Sequence, residues 1–532
     1  MKKLLLLTGF SLLALSASAA VPNIYAYGLS AEQEEKDNEP VRGVYNITYS
    51  LNADAKSLTA VFRSGSEVKE FPIVGADNLT KGTHTYRLAL HYVDGSKDVY
   101  LSGAGEYTWS LKAEGAEAAA GGLVCAYDKG ASYYGTGTDF NWSRSRGNAF
   151  NNDPMSPAFG TFYMMNAPTY KVNDDNTITT YVNPASNGVI EFVPGYTSYY
   201  VFASDLDWYC KSTSDRNIST NPSFFNDMVI SEDGMIYACN WVGRSETGIY
   251  FLDPSSHSNK LSQLFKGTIA SGVTTNAAGE VLCGSTATIC TTGSGADKKL
   301  YAFAENGKAG LSVYNIGNNT EITKGPVATY TTLSGTKLTV AAGARLRADN
   351  NGGVWLHVNQ TGVNFFHLNA NDEVDFTSSA IPYNSTGTLA VNKDGSLMAV
   401  VDSNNKIHFY DVNLDGEITL TEKTEMAITT GIAASSNPIY SMSFDYADNL
   451  FVDVQGQGTY VYATPKDENV TEVHAPTTIT QPISTGIDDI AADVEEAAAA
   501  VYYNLQGVRV AAPQTGNLYI KVTGNKATKV IM

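Results

Sequence analysis

The sequence predicts an all-β chain: a sandwich, then a β-propeller, then a small terminal β module. Three observations carry that expectation. One short unit recurs six times between Phe150 and Val454: a turn residue, an apolar strand, a gap and a more aromatic strand. Apolar and polar residues alternate with period two through much of residues 21–113. Residues 501–532 reduce to short strands punctuated by Gly and Pro. Stacked repeats of this kind form a ring of blades rather than an α/β enzyme.

The chain opens on a secretory signal. Lys2 and Lys3 give the positive start, Leu4 to Leu15 the apolar run, and Ala17-Ser18-Ala19 the cleavage site. The run is too short to span a bilayer comfortably. No Cys lies near the cut, so no lipid anchor is indicated, and no other transmembrane segment is expected. The mature chain is therefore expected to begin near Ala20 or Val21, secreted or at the outer membrane or cell surface. The net charge of −19 argues against nucleic acid and anionic lipid as partners. Of the five cysteines, Cys239 and Cys283 fall in blade strands as small apolar filler. The spacing of Cys125, Cys210, Cys239, Cys283 and Cys290 selects no disulfide pair.

Residues 21–113 read as a sandwich. Tyr45, Ile47, Tyr49 and Leu51 alternate with polar neighbours, as do Leu58, Ala60 and Phe62, and Tyr107, Trp109 and Leu111. The phrases YSLNADAKSLTAVF, LTKGTHTYRLAL and GAGEYTWSL resemble the immunoglobulin-like domain of flagellar hook-capping proteins and other exported bacterial proteins. The resemblance implies an Ig-like spacer or adaptor without chemistry of its own. EGAEAAAGG, residues 114–122, reads as a linker.

The propeller is placed at 123–470. Its repeats turn at Gly160, Gly234, Gly279, Gly352, Gly395 and Asp448. The strands after each turn are followed by GVIEFV, GIYFLD, KLYAFA, GVNFFHL, KIHFYD and GTYVYA as second strands. Turn-to-turn spacings are 74, 45, 73, 43 and 53 residues, against about 40–50 for one blade. The long intervals imply insertions at 167–187, 205–222 and 304–340. Six blades are expected, or seven if a long interval hides another. GGLVCAY (121–127) is placed to close the ring against the last blade.

Residues 471–500, rich in Thr, Pro, Ala and acids, read as a second linker. The tail at 501–532 follows with Tyr503-Asn504-Leu505-Gln506-Gly507, Arg509, Gly516 to Tyr519, and a basic strand from Lys526 to the end. This order resembles the C-terminal sorting domain of the type IX secretion system. Asn517 stands where that family often runs Gly-Leu-Tyr directly. The resemblance implies export across an outer membrane, through a secretion machinery that reads the tail.

One segment fits a metal template. DVNLDGEITLTE offers Asp411, Asn413, Asp415, the Glu417 carbonyl and Glu422 as hard oxygen donors around Gly416, a calcium pattern. KIHFYDV and EITLTEK on either side are strands, so the same residues are also an ordinary hairpin. The loop is similar to strand-loop-strand calcium sites of integrin-type propellers, which prefer an acid where Thr419 stands. His367 and His408 alternate with aromatic residues inside strands and read as satisfied blade residues. No nucleophile elbow, phosphate loop or dinucleotide fingerprint occurs. Arg146, Asp227 and Arg345 occupy aligned positions near the ring axis, where charges can face a channel and bind a ligand, or pair between blades. Trp208 and Tyr209 in the 204–217 loop are a second candidate, because aromatic faces suit sugars and protein anchors.

The expected role is binding of a protein or glycan outside the cytoplasm. A propeller hydrolase or lyase on polysaccharide, with carboxylates from different blades, is the rival. A purely structural surface component is the third reading.

Overall fold

The computed structural model describes residues 20–481 and 501–531, apart from connecting stretches, of which 129–144, 204–224 and 331–343 are the longest. Those residues are almost entirely strands and turns.

Period-two alternation builds the N-terminal sandwich. One sheet pairs Ala26–Lys36, Glu39–Leu51 and Gly82–Ala89 in that order. The other runs Val470–Gln481, Gly105–Gly115, Ala55–Ser64 and Glu67–Ile73. Tyr45, Ile47, Tyr49 and Leu51 from the first sheet and Tyr107, Trp109 and Leu111 from the second are all buried in one core. The second sheet corrects the sequence reading. Val470–Gln481 is no linker but a strand paired with Gly105–Gly115. The chain therefore leaves the sandwich, runs through the whole ring, and returns to complete the sheet it left. The first expected linker shrinks likewise, because Gly105–Gly115 and Gly122–Asp128 are strands on either side of it.

The ring is a β-propeller of antiparallel sheets. Its innermost strands are Ser145–Phe150, Phe225–Ile230, Thr286–Thr292, Ala344–Ala348, Ser385–Val391 and Ile439–Phe444. Each packs against the next, and the last packs back on the first, so the cycle closes. Each is followed outward by at least three more strands. In the last sheet the outer strand is Gly122–Asp128, which pairs with Gly458–Ala463 and so joins the start of the ring to its end.

The turn residues behave as their chemistry demands. Gly160, Gly234, Gly279, Gly352, Gly395 and Asp448 all have φ between 66° and 83°, a left-handed conformation that favours Gly and tolerates Asp. An acceptor side chain at the head of the turn fixes several of these hairpins. Asp349 Oδ1 accepts from the Asn351 and Gly353 amides, and Asp445 Oδ1 from the Ala447 and Asn449 amides.

That same chemistry misplaces one copy. Asn276 makes the identical turn before Glu280. Yet Val281–Gly284 belongs to a separate three-stranded sheet with Thr268–Ala270 and Val273–Thr275. The ring strand is Thr286–Thr292, and Lys299–Ala304 pairs directly with it, whereas its counterparts in the other sheets pair with the strand that follows the turn. Leu311–Asn315 and Ala328–Tyr330, expected as insertion, complete that sheet. The insertion expected at 205–222 lies outside the described residues. The one at 167–187 contains a small hairpin of Tyr170–Val172 with Ile178–Thr180.

Sandwich and ring share a core. Tyr25 packs against Phe159 and Tyr446, from hairpin turns of the first and last sheets, at centroid distances of 6.0 and 6.3 Å. Asn23 and Asn449 exchange amide hydrogen bonds at 2.8 and 2.9 Å. The terminal module pairs Arg509–Val510, Val501–Tyr503, Leu518–Thr523 and Lys526–Ile531 around Tyr503, Ile520 and Val522.

Candidate functional site

Inner strands of neighbouring sheets share no backbone ladder, so side chains stitch them together. Ser441 Oγ accepts from the Asn148 amide at 2.9 Å and donates to Asn148 Oδ1 at 2.8 Å. Thr288 Oγ1 accepts from the Leu346 amide at 2.8 Å and donates to Asp227. Thr388 Oγ1 donates to the Ile439 carbonyl at 3.0 Å.

Beyond this belt, on the face of the first-to-second-strand hairpins, a cavity of about 540 Å³ opens on the axis. Every inner strand contributes its penultimate residue to the wall: Ala149, Val229, Thr291, Arg347, Ala390 and Ser443. Small residues leave the space, and one guanidinium marks it. Arg347 Nη1 and Nη2 donate to the two oxygens of Asp227 at 3.0 and 3.1 Å, a fork-to-carboxylate pair.

The structure gathers Arg146, Asp227 and Arg345 near the axis, with Arg146 half-buried and neither Asp227 nor Arg345 at a water-filled rim. Asp227 and Arg345 are fully buried, with Arg345 Nε 3.7 Å from Asp227 Oδ1. Arg345 donates to the carbonyls of Ala344, Arg146 and Tyr440 at 2.8, 2.9 and 2.5 Å. Burial pulls its pKa below the ordinary value, against the Asp227 charge. The Arg146 guanidinium lies 4.6 Å from the centre of the Tyr440 ring. Charges this deep must pair, so Asp227 and Arg345 plug the axis beneath the cavity. Sequence reasoning missed Arg347, which reaches the wall. The Arg-Leu-Arg alternation in its strand was the available signal, since period two places both arginines on one face. Trp208 and Tyr209 lie outside the described residues.

Carboxylates at the mouth already have partners. Asp153 accepts from the Met155 amide at 2.9 Å, and Glu232 from the Gly293 amide at 2.9 Å. Asp394 pairs with Lys393 at 2.7 Å, and that ammonium lies 4.4 Å from the Tyr446 ring centre.

A second cleft, of about 660 Å³, lies between the fourth and fifth sheets. Asp349 belongs to the walls of both spaces. Its Oδ2 lies 2.7 Å from His367 Nε2, and His367 Nδ1 lies 2.6 Å from Asp375 Oδ1. Burial lowers the His367 pKa, but the hydrogen bonds to Asp349 and Asp375 outweigh it, and the net shift is upward. With both nitrogens engaged, this imidazole is not free to serve as a general base.

The calcium template folds as a hairpin. Lys406–Asn413 pairs with Thr419–Glu422 around Gly416 at φ 78°. Glu422 faces His408 Nδ1 at 2.8 Å, Asp411 pairs with Lys423 at 3.2 Å, and Asn413 Oδ1 accepts from the Asp415 amide at 2.8 Å. Among the described residues no three His, Cys, Asp or Glu side chains group as a metal site. Asp411, Asn413 and Glu422 thus hold partners in the hairpin and its flanking strand.

No family model matches the chain, and no curated protein does. Solved structures resemble it only distantly. A structural-genomics protein of unknown function from Bacteroides thetaiotaomicron is 12% identical, with TM-score 0.36, over 82% of this chain and 98% of that one. The WD40 β-propeller domain of Doa1 is 10% identical, with TM-score 0.34, over 61% and 94%. YCF48 bound to D1 peptide is 10% identical, with TM-score 0.33, over 62% and 94%. Scores this low carry no argument, and the architecture rests on the strand pairing above.

Proposed function

We propose that this chain is an exported six-bladed propeller that binds a protein or glycan in the axial cavity. The observation that carries the reading is convergence: one strand from each sheet of the closed cycle ends at a single space of about 540 Å³. A rigid concavity with a few placed polar groups is the usual form of a binding site. The mouth carboxylates hold amides or an ammonium, an arrangement that favours binding over acid–base cleavage. The sandwich then serves as an Ig-like adaptor beside the cavity. The tail serves as a type IX sorting signal that brings the protein to the cell surface or medium.

The test is an array of glycans and peptides probed with the mature full chain and with Ala348→Trp. Ala348 is half-buried in the cavity wall. A specific hit should weaken at least about tenfold, 1.4 kcal/mol, in the variant at unchanged melting temperature. A hit indifferent to Ala348→Trp places the binding surface elsewhere. The export reading is tested with a chain ending at Gln481, which should stay within the cell envelope while the full chain leaves it.

A further inference from the structure

We propose that Asp349, His367 and Asp375 form a proton-operated latch on the mouth of the axial cavity. The inference deepens the binding reading, because it concerns regulation of the same site.

Asp349 divides its two oxygens between two tasks. Oδ1 accepts from the Asn351 and Gly353 amides at 2.7 and 2.8 Å, which shapes the hairpin at the cavity mouth. Oδ2 takes the hydrogen bond from His367. On the other side of the imidazole, Asp375 on the outer strand of the same sheet takes the other. The imidazole thus ties the outermost strand of the sheet to its innermost turn. Packing beside it leaves little slack. A Cβ on Gly353 would meet His367 Nε2 at 2.8 Å, so hairpin and imidazole are in near contact. The same hairpin touches the next one, because a Cβ on Gly395 would meet Asn350 Oδ1 at 2.7 Å. That neighbouring hairpin carries Lys393 and Asp394 to the mouth.

Two carboxylates facing one ring need two N–H donors. Only the imidazolium has them. The neutral ring offers one N–H and one lone pair, so one carboxylate would face an acceptor in a site where Asp349 has no exposed side chain. The other groups around His367 do not replace the proton. The Trp355 ring lies 4.5 Å from it, Glu417 lines the cleft opposite, and Asp372 on the adjoining turn is paired with Lys299 at 2.7 Å. Every acid here favours the cation. The His pKa is raised in the folded chain. The latch is therefore fully closed below the ordinary His value of about 6.5 and releases as pH climbs through the raised one.

The test needs no ligand, so its failure and the failure of the binding reading are separate results. The His367 imidazole is titrated by nitrogen NMR in the full mature chain. Protection of the Asn351 and Gly353 amides is followed by hydrogen exchange over the same range. Protection should fall at least about tenfold, one pK unit's worth, as His367 loses its proton. In His367→Gln it should be pH-independent. Asp375→Asn keeps the shape, removes one charge, and should lower the His367 midpoint. Protection that stays flat across the midpoint overturns the latch. So does the same pH response in His367→Gln, or a midpoint unmoved by Asp375→Asn.

Discussion

Asp453 is a buried acid on the second strand of the last sheet, with the Thr459 hydroxyl on its Oδ1. Burial pushes its pKa up to about 8, against the pull of that hydroxyl. An unfolded Asp loses its proton near pH 3.9. The folded chain therefore holds a proton that the unfolded chain lacks, and stability falls as pH rises from about 4 to about 8. Above that range the loss is complete. Urea midpoints for the natural chain and Asp453→Asn should diverge across the window, with the shallower pH slope in the variant. Equal slopes would remove Asp453 as the cause. At this scale the sequence showed position but not partnership. Arg146, Asp227 and Arg345 were legible as axial residues from their place relative to the turns. Their pairing was not, because Arg345 and Asp227 sit on strands 118 positions apart in the sequence and meet only when the ring closes. His367 was legible as a satisfied blade residue. Nothing local told of Asp349 and Asp375 on either side.

Strand Val470–Gln481 sets the integrity of the sandwich. Val473 and Ile479 are buried in the shared core, and Tyr45 donates its hydroxyl to the Thr480 carbonyl at 2.9 Å. Losing the burial of those two side chains alone costs about 1.5–3 kcal/mol each. A chain ending at Gln481 should melt with the full protein, whereas one ending at Asn469 should lose exchange protection along Gly105–Gly115 and melt lower. Equal protection in both chains would show that the strand contributes little. The strand was illegible for a physical reason. A register shift between His474 and Thr478 interrupts the alternation, and Pro476 is tolerated because the strand lies on a sheet edge. Thr, Pro and acids then read as linker. The repeat turns were legible because left-handed backbone selects Gly. The slip at Gly279 has the same origin, since that turn satisfies identical local rules while serving a different sheet.

The molecule as a whole should behave as one cooperative body plus a small appendage. One hydrophobic cluster runs from Trp109 and Tyr25 in the sandwich to Phe150, Phe162 and Phe451 in the ring. Scanning calorimetry should give a single main transition for both, with calorimetric and van't Hoff enthalpies in agreement. Two resolved transitions would mean that the seam between them is weak. The propeller was legible from its recurring turn-and-strand unit and the sandwich from its period-two alternation. Their interlocking was not, because it depends on contacts such as Asn23 with Asn449, 426 positions apart in the sequence. That interlocking sets a timetable for assembly. A sheet whose final member is made after residue 469 cannot be finished early, so the first hundred residues to emerge must wait, partly open, for nearly all the rest. Pulse-labelled amides in the nested ring should gain shelter before those of Gly105–Gly115, and a chaperone would find its client at the start of the chain.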